Sequence, residues 1–386
     1  MRATFLSLCL FLSLLSFSQA KNEFAGIDSK MDKIPTQDSN STIAIANYIS
    51  SNFKTEAEKI RALFYWTASN INYDVSKMLT PNVNETTQDR IDDVLRTKKG
   101  VCSHYAEVFN DVSNKMGVSC YVIEGFTKQN GKVANLSHAW CAAKIDKKWY
   151  LFDPTWGAGY VNNNTFFKKL NNSYFKVQPN VLIASHMPFD YIWQFLDLPL
   201  TNKEFLEGKR QPLNSKKQLD FEKEITRYQS LGDSDKAFES SERIEKNGLL
   251  NALVIEQYKY KKEAFRVYTQ NKNIEKLNAL YTSYNENIFL LNDFIIYRFK
   301  KFKPAQSDEE MRNWIQNVKG KFKKCETDVY NIGIVGKENT GSLSNLKKSI
   351  ATALMQTEEQ EQFLMEYLSK NSIGRKVMLS NFKIRN

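Results

Sequence analysis

Metal-ligating and redox-active side chains are scarce in this 386-residue chain, which has three histidines and five cysteines. They are scattered and form none of the spacings by which zinc is held, so no metal and no cofactor is expected. Beyond the first twenty residues, no apolar run is long enough to cross a bilayer, which argues against stable membrane insertion. No Lys/Arg tract is present. The formal charge of +11 is diluted by many acids, and most of the excess lies in the C-terminal half. A solvated helical surface is therefore expected rather than a nucleic-acid site, and loose attraction to anionic cell-surface polymers is compatible with the charge. The polar stretch GKENTGSLSN reads as a loop and carries no phosphate-loop pattern.

The chain opens with MRATFLSLCLFLSLLSFSQA. Arg2 is a positive n-region, Phe5 to Phe17 an apolar h-region, and Ser18-Gln19-Ala20 a small-x-small cleavage site. These are the parts of a secretory leader, cleaved after Ala20 or, alternatively, after Ser18. Cys9 is a poor lipid-attachment site, because Leu8 precedes it and the apolar run continues. Export to a periplasmic or extracellular location is expected. It leaves Cys102, Cys120, Cys141 and Cys325 in a chain long enough to bury a core without disulfide staples.

Residues 21–40 are polar, contain Pro35 and read as a loosely held arm. STIAIANYIS and AEKIRALFYWTASNI have helical spacing, with Ile60, Leu63, Phe64 and Thr67 on one face, and the polar stretch from Asn72 to Arg90 reads as a loop. In the helix that follows, Ala106, Phe109, Val112 and Met116 make an inward stripe and Gly117 is the stop. The period then changes to two. VSCYVIEGFTK, LSHAWCAAKI and KKWYLFDPTW read as antiparallel strands, the last two joined at Asp146-Lys147. Pro199 and Pro212 bracket a linker, 199–214, and residues 215–386 carry helical periodicity almost throughout. The expected division is a leader (1–20), an arm (21–40), a mixed domain (41–198), the linker and a helical bundle.

Cys102 stands at the start of a helix in KKGVCSHYAEVF. Free N–H groups and the helix dipole favour a thiolate there. In an exported chain the competing use is a disulfide, with Cys120 or Cys141 as partner. A nucleophile also needs a base. His104 is two residues along the same helix and points to another face, and His186 has no acid placed by pattern to orient it. His138 is different, because Asp153 follows it in the partner strand. A turn of two or four residues pairs Trp140 with Asp153 and makes His138 and Asp153 diagonal neighbours on one face. A three-residue turn without a bulge puts them on opposite faces. The Cys102 amide is a candidate oxyanion donor, and Asn70, Asn72 and Tyr73 are weaker candidates for a second. His104, Tyr105, Trp140 and Trp156 are candidate cleft-lining residues, with packing as their competing role.

GVCSHYAEVF followed by LSHAWCAAKIDKKWYLFDPTWG resembles the transglutaminase-like superfamily, nearest its kyphoscoliosis peptidase-like branch. The family pattern is G-x-C-x-G-Y-A, then H-A-W-N, then a strand ending D-x-T-W. The resemblance spans roughly Ile43 to Leu198, including the Trp-containing stretch YFKVQPNVLIASHMPFDYIWQFL. It implies an α+β, papain-like core, with a nucleophile helix packed on an antiparallel sheet, and maps a Cys–His–Asp triad onto Cys102, His138 and Asp153. An all-α domain should follow the core. His104 stands where the family has Gly, and Cys141 where it has Asn. The implied activity is acyl transfer from protein or peptide amides through a thioester. Hydrolysis by a peptidase or amidase is the expected outcome; transamidation, or a silent binding module whose helical half docks a protein partner, are the alternatives.

Overall fold

The computed structural model describes residues 23–80, 85–209 and 218–380. The leader, residues 1–20, and part of the 199–214 segment lie outside the described residues. The chain forms two compact units, Met1–Ser230 with Glu242–Tyr258, and Leu231–Ser241 with Lys259–Asn386.

The first unit begins with helices α1 (Ala25–Met31), α2 (Thr42–Asn52) and α3 (Glu56–Asn70). Ser41 caps α2, and Thr55 with Glu58 forms a capping box on α3, which fixes where each helix starts. α1 lies within the arm expected to be loose. It is held by a buried ion pair in which Arg61 donates to both oxygens of Asp28 at 2.8 and 2.6 Å, and Met31 enters the core. A short strand, β1 (Asn72–Tyr73), and helices α4 (Val75–Leu79) and α5 (Thr87–Thr97) occupy the stretch expected as loop. β1 pairs in parallel with β2 (Lys99–Gly100), setting Tyr73 opposite Gly100, just before α6 (Cys102–Lys115). The stripe Ala106, Phe109, Val112 and Met116 is buried, and Gly117 follows the last turn with φ +79°.

Strands β3 (Cys120–Gln129), β4 (Lys132–Val133), β5 (His138–Ile145) and β6 (Lys148–Phe152) form an antiparallel sheet in the order β4-β3-β5-β6. Asp146 and Lys147, with φ of +49° and +65°, make the two-residue turn between β5 and β6. After β6 come α7 (Pro154–Ala158), a hairpin of β7 (Gly159–Asn162) and β8 (Thr165–Lys168), α8 (Pro179–Leu182) and β9 (His186–Pro188). Strands β4 and β7 to β9 were not legible as strands; each has two to four residues, too few for a period to show. β9 pairs antiparallel with β3, matching Gly125 with Pro188 and Thr127 with His186. The unit ends with α9 (Asn202–Glu207), whose Phe205 is buried, α10 (Phe221–Gln229), and part of α11 (Asp233–Asn247) and α12 (Ala252–Phe299).

Every described secondary-structure element of the second unit is a helix, with α13 (Asp308–Tyr330), α14 (Lys337–Ser369) and α15 (Ser372–Ser380) following α12. Val318, Phe322, Cys325 and Val329 pack with Leu346, Ile350 and Ala353 in one core. EQYKYKKEAFRVY and IEKLNALYTSYNENIFLLNDFIIYRF both lie in the single 48-residue helix α12. One expectation changes here. GKENTGSLSN opens α14 rather than forming a loop; Gly336, at φ +80°, is the N-cap, and Leu346 and Ile350 downstream supply the apolar face. Cys325 is buried and accepts from the Asn287 side-chain amide.

Gly125 admits β9 onto β3, since a Cβ there would collide with the Met187 carbonyl and the Trp140 ring. Gly125→Ala should lower stability by ~1–3 kcal/mol through overpacking, read as a lower midpoint in denaturant unfolding. An unchanged midpoint would mean that β9 yields without cost.

Candidate active site

Three separate elements bring one residue each to the same place. Cys102 is the first residue of α6 and is half-buried, with Val101 extended at the N-cap. His138 is the first residue of β5. Asp153 follows β6 directly and caps α7, where Pro154 occupies the first turn. The β5–β6 register runs from Cys141 opposite Phe152 to Ile145 opposite Lys148, as a two-residue turn requires. His138 and Asp153 are therefore on one face, with Nε2 2.8 Å from Oδ2. Cys102 lies close enough to the same imidazole to help raise its pKa. Because Nε2 is committed to Asp153, Nδ1 is the ring nitrogen not engaged by the carboxylate. All four cysteines among the described residues are free thiols, so Cys102 is not half of a disulfide here.

Asp153 is completely buried, and burial works to raise its pKa. The charge and hydrogen bond of His138 and the hydrogen bond of His186 outweigh this and hold the carboxyl well below its usual range. Its other oxygen, Oδ1, accepts from the amides of Thr155 and Trp156 at 2.9 and 3.0 Å. The capping role and the imidazole-holding role thus fall on different oxygens. For His138, burial pushes the pKa down, but the Asp153 charge, its hydrogen bond and the Cys102 contact push it up to about 10.

His186 is the residue that sequence reasoning passed over. Its Nε2 lies 3.1 Å from the same Asp153 Oδ2, and its Nδ1 lies 2.8 Å from Ser185 Oγ. It is buried, and desolvation pushes its pKa down, so it stands as a neutral N–H donor to the carboxylate. No local pattern could have named its partner, which lies 33 residues earlier and is reached only through β9. His138, Asp153 and His186 bring ligand atoms within 4.8 Å of one another, and their donor types suit zinc. Both Nε2 atoms are already spent on Oδ2, however, so a metal would have to replace both hydrogen bonds.

Of the candidate cleft residues, Trp156 lines a cavity of about 630 Å³ on the His138 side, together with Tyr73, Tyr160, Phe166, Lys169 and Tyr174. Tyr105 is buried and donates to the Ile71 carbonyl at 2.6 Å, and Trp140 is buried beneath His138 and His186. His104 is buried on the far side of α6's first turn, where its Nε2 accepts from Lys77 Nζ at 3.1 Å. None of these three lines that cavity. Among the weaker oxyanion candidates, the Asn70 amide is spent on the Trp66 carbonyl at 2.9 Å and Asn72 is exposed. Tyr73 borders the cavity, and burial with the charges of Cys102 and Asp153 pushes its pKa up, which keeps its hydroxyl proton on.

Two outcomes follow from this electrostatic arrangement. His138 is raised above the value of about 6.5 it has in an unfolded chain. Its stabilisation is therefore complete below that pH and is lost as pH rises through about 10. Thermal melts of the wild type should lose midpoint between pH 7 and 10 more steeply than those of His138→Gln; parallel curves would contradict the raised value. His186→Leu should cost ~1–3 kcal/mol, because it leaves a buried carboxylate acceptor short of a donor, and urea unfolding should report it.

Comparison with known proteins bears on the same residues. The transglutaminase-like superfamily model matches residues 43–154. Kyphoscoliosis peptidase of Homo sapiens is 31% identical over 159 residues, covering 39% of this chain and 24% of that protein. Hillarin of Drosophila melanogaster is 22% identical over 206 residues, covering 47% of this chain and 24% of that protein. Among solved structures, the periplasmic domain of TgpA from Pseudomonas aeruginosa aligns over 34% of this chain and 49% of that one, at 22% identity and a TM-score of 0.26. The chain spans about a quarter of the length of these curated relatives. The residues that match the transglutaminase-like superfamily model, 43–154, contain the helix-start cysteine and strands β3, β5 and β6 of the antiparallel sheet.

Proposed function

We propose that the protein is a thiol hydrolase of peptide or protein amides, with Cys102 as nucleophile, His138 as proton carrier and Asp153 as its orienter. The observation that carries this reading is the His138–Asp153 Oδ2 pair at 2.8 Å, with Cys102 at the helix start close enough to the imidazole to help raise its pKa. His138 holds the proton of the Cys102–His138 pair, and the sulfur attacks the carbonyl carbon. The tetrahedral intermediate expels the amine, which takes the proton from His138, and a thioester remains. Water then attacks the thioester with His138 as base, releasing the acid and restoring the Cys102–His138 pair. The Cys102 amide, in the first turn of α6 where amides lack intrahelical partners, suits the developing oxyanion. Tyr73 is the second donor in this reading.

Hydrolysis is favoured over transfer to an amine because the relative that is 31% identical is named a peptidase. Export belongs to the same proposal and rests on the leader at residues 1–20. No described helix is long and apolar enough to cross a membrane.

Brief iodoacetamide treatment of native protein at pH ~6 should label Cys102 before the buried Cys120, Cys141 and Cys325. His138→Ala should slow the labelling. Asp153→Asn should keep the fold by circular dichroism while lowering turnover by up to ~10⁴-fold. An inert Cys102, or full turnover in folded Asp153→Asn, would remove this mechanism.

A further inference from the structure

The cavity beside His138 is bordered by three consecutive residues of β7, Gly159, Tyr160 and Val161. Side chains alternate along a strand, so a cavity touching consecutive residues runs along the strand's edge rather than across one face. β7 pairs only with β8 among the described strands, and Tyr160, Val161 and Asn162 are exposed. The backbone direction follows from the hairpin. Asn163 and Asn164, with φ of +47° and +58°, form a two-residue turn, which makes Asn162 and Thr165 the hydrogen-bonded pair. Two residues back, Tyr160 and Phe167 repeat that pairing, and the Lys169 amide donates to the Ala158 carbonyl at 2.8 Å in the same phase. The N–H and C=O of Val161 therefore point away from β8, along the open edge.

The geometry points to an extended, unfolded polypeptide as the occupant of this cavity, held as an added strand on β7 with its main chain led toward His138. A free strand edge that borders a reactive imidazole offers backbone hydrogen bonds to main chain, which a side-chain amide projecting from a folded surface cannot supply. Trp156, Tyr160 and Tyr174 give apolar walls for large side chains, and Lys169 and His138 are the cationic residues of the lining. No described lining residue carries a carboxylate, so neutral and acidic segments fit better than basic ones. This inference rests on the proposed thiol chemistry for its product, but not for the binding itself.

The test separates the two. Full-length Cys102→Ser protein is titrated into fluorescein-labelled casein, an acidic unfolded polypeptide, and anisotropy is read. Val161→Pro removes the outward N–H without taking a bond from the β7–β8 ladder. It should weaken casein binding by ~10-fold or more, whereas Val161→Ala, which keeps the N–H, should bind within ~2-fold of its parent. Circular dichroism of the proline variant should match the parent. Equal binding by Val161→Pro and its parent, or no binding by the parent, overturns the strand site. Casein binding that depends on Val161, in a protein whose native Cys102 does not react with iodoacetamide, would keep the strand site and remove the hydrolase.

Discussion

A single carboxylate with no access to water sets the terms for the rest of the site. Burying an ionised Asp is costly unless its lone pairs are filled, and Asp153 has four donors, two backbone amides on Oδ1 and two imidazoles on Oδ2. The donors come from three structural commitments. The two amides exist because α7 starts at Pro154. His138 arrives by the β5–β6 register, and His186 by β9. Removing any one of these leaves an unfilled acceptor in the interior, so strand register, helix start and strand pairing are held together by one charge.

The first turn of α6 solves a separate steric problem. His104 fills the space over Gly100, where a Cβ would lie 2.5 Å from the His104 Cβ. Its ring then accepts from Lys77, whose ammonium also meets Glu85 and Asp93 at 2.9 Å each. The family's glycine position is thus occupied by a side chain that turns away from Cys102 and ties α4, α5 and α6 together. The departure alters the scaffold beneath Cys102.

What could be read in the sequence follows the range of the forces involved. Periodicity and turn residues are local, so the α6 stripe, the strands β3, β5 and β6 and the Asp146-Lys147 turn were legible, and from that turn the His138–Asp153 relation followed. Strands of two to four residues carry no period, which hid β7 and β9 and with them the open edge at Val161 and the role of His186. GKENTGSLSN was misread because its polar residues mimic a loop, while the force that makes it helical is the burial of Leu346 and Ile350 further along. The arm was misread for a similar reason: Asp28 pairs with Arg61, 33 residues away.

β9 also bears on the order in which the molecule can be built. The residues matched to the family end at Pro154, yet the fourth donor to Asp153 comes from His186, beyond that boundary. A chain emerging from synthesis exposes Asp153 before it exposes His186. Until β9 docks, the carboxylate has only three of its donors and its burial is incomplete. The cysteine, histidine and aspartate can therefore all be present in a nascent chain whose charge centre has not yet closed. Completion of the charge centre therefore depends on a three-residue strand, and not only on the presence of Cys102, His138 and Asp153.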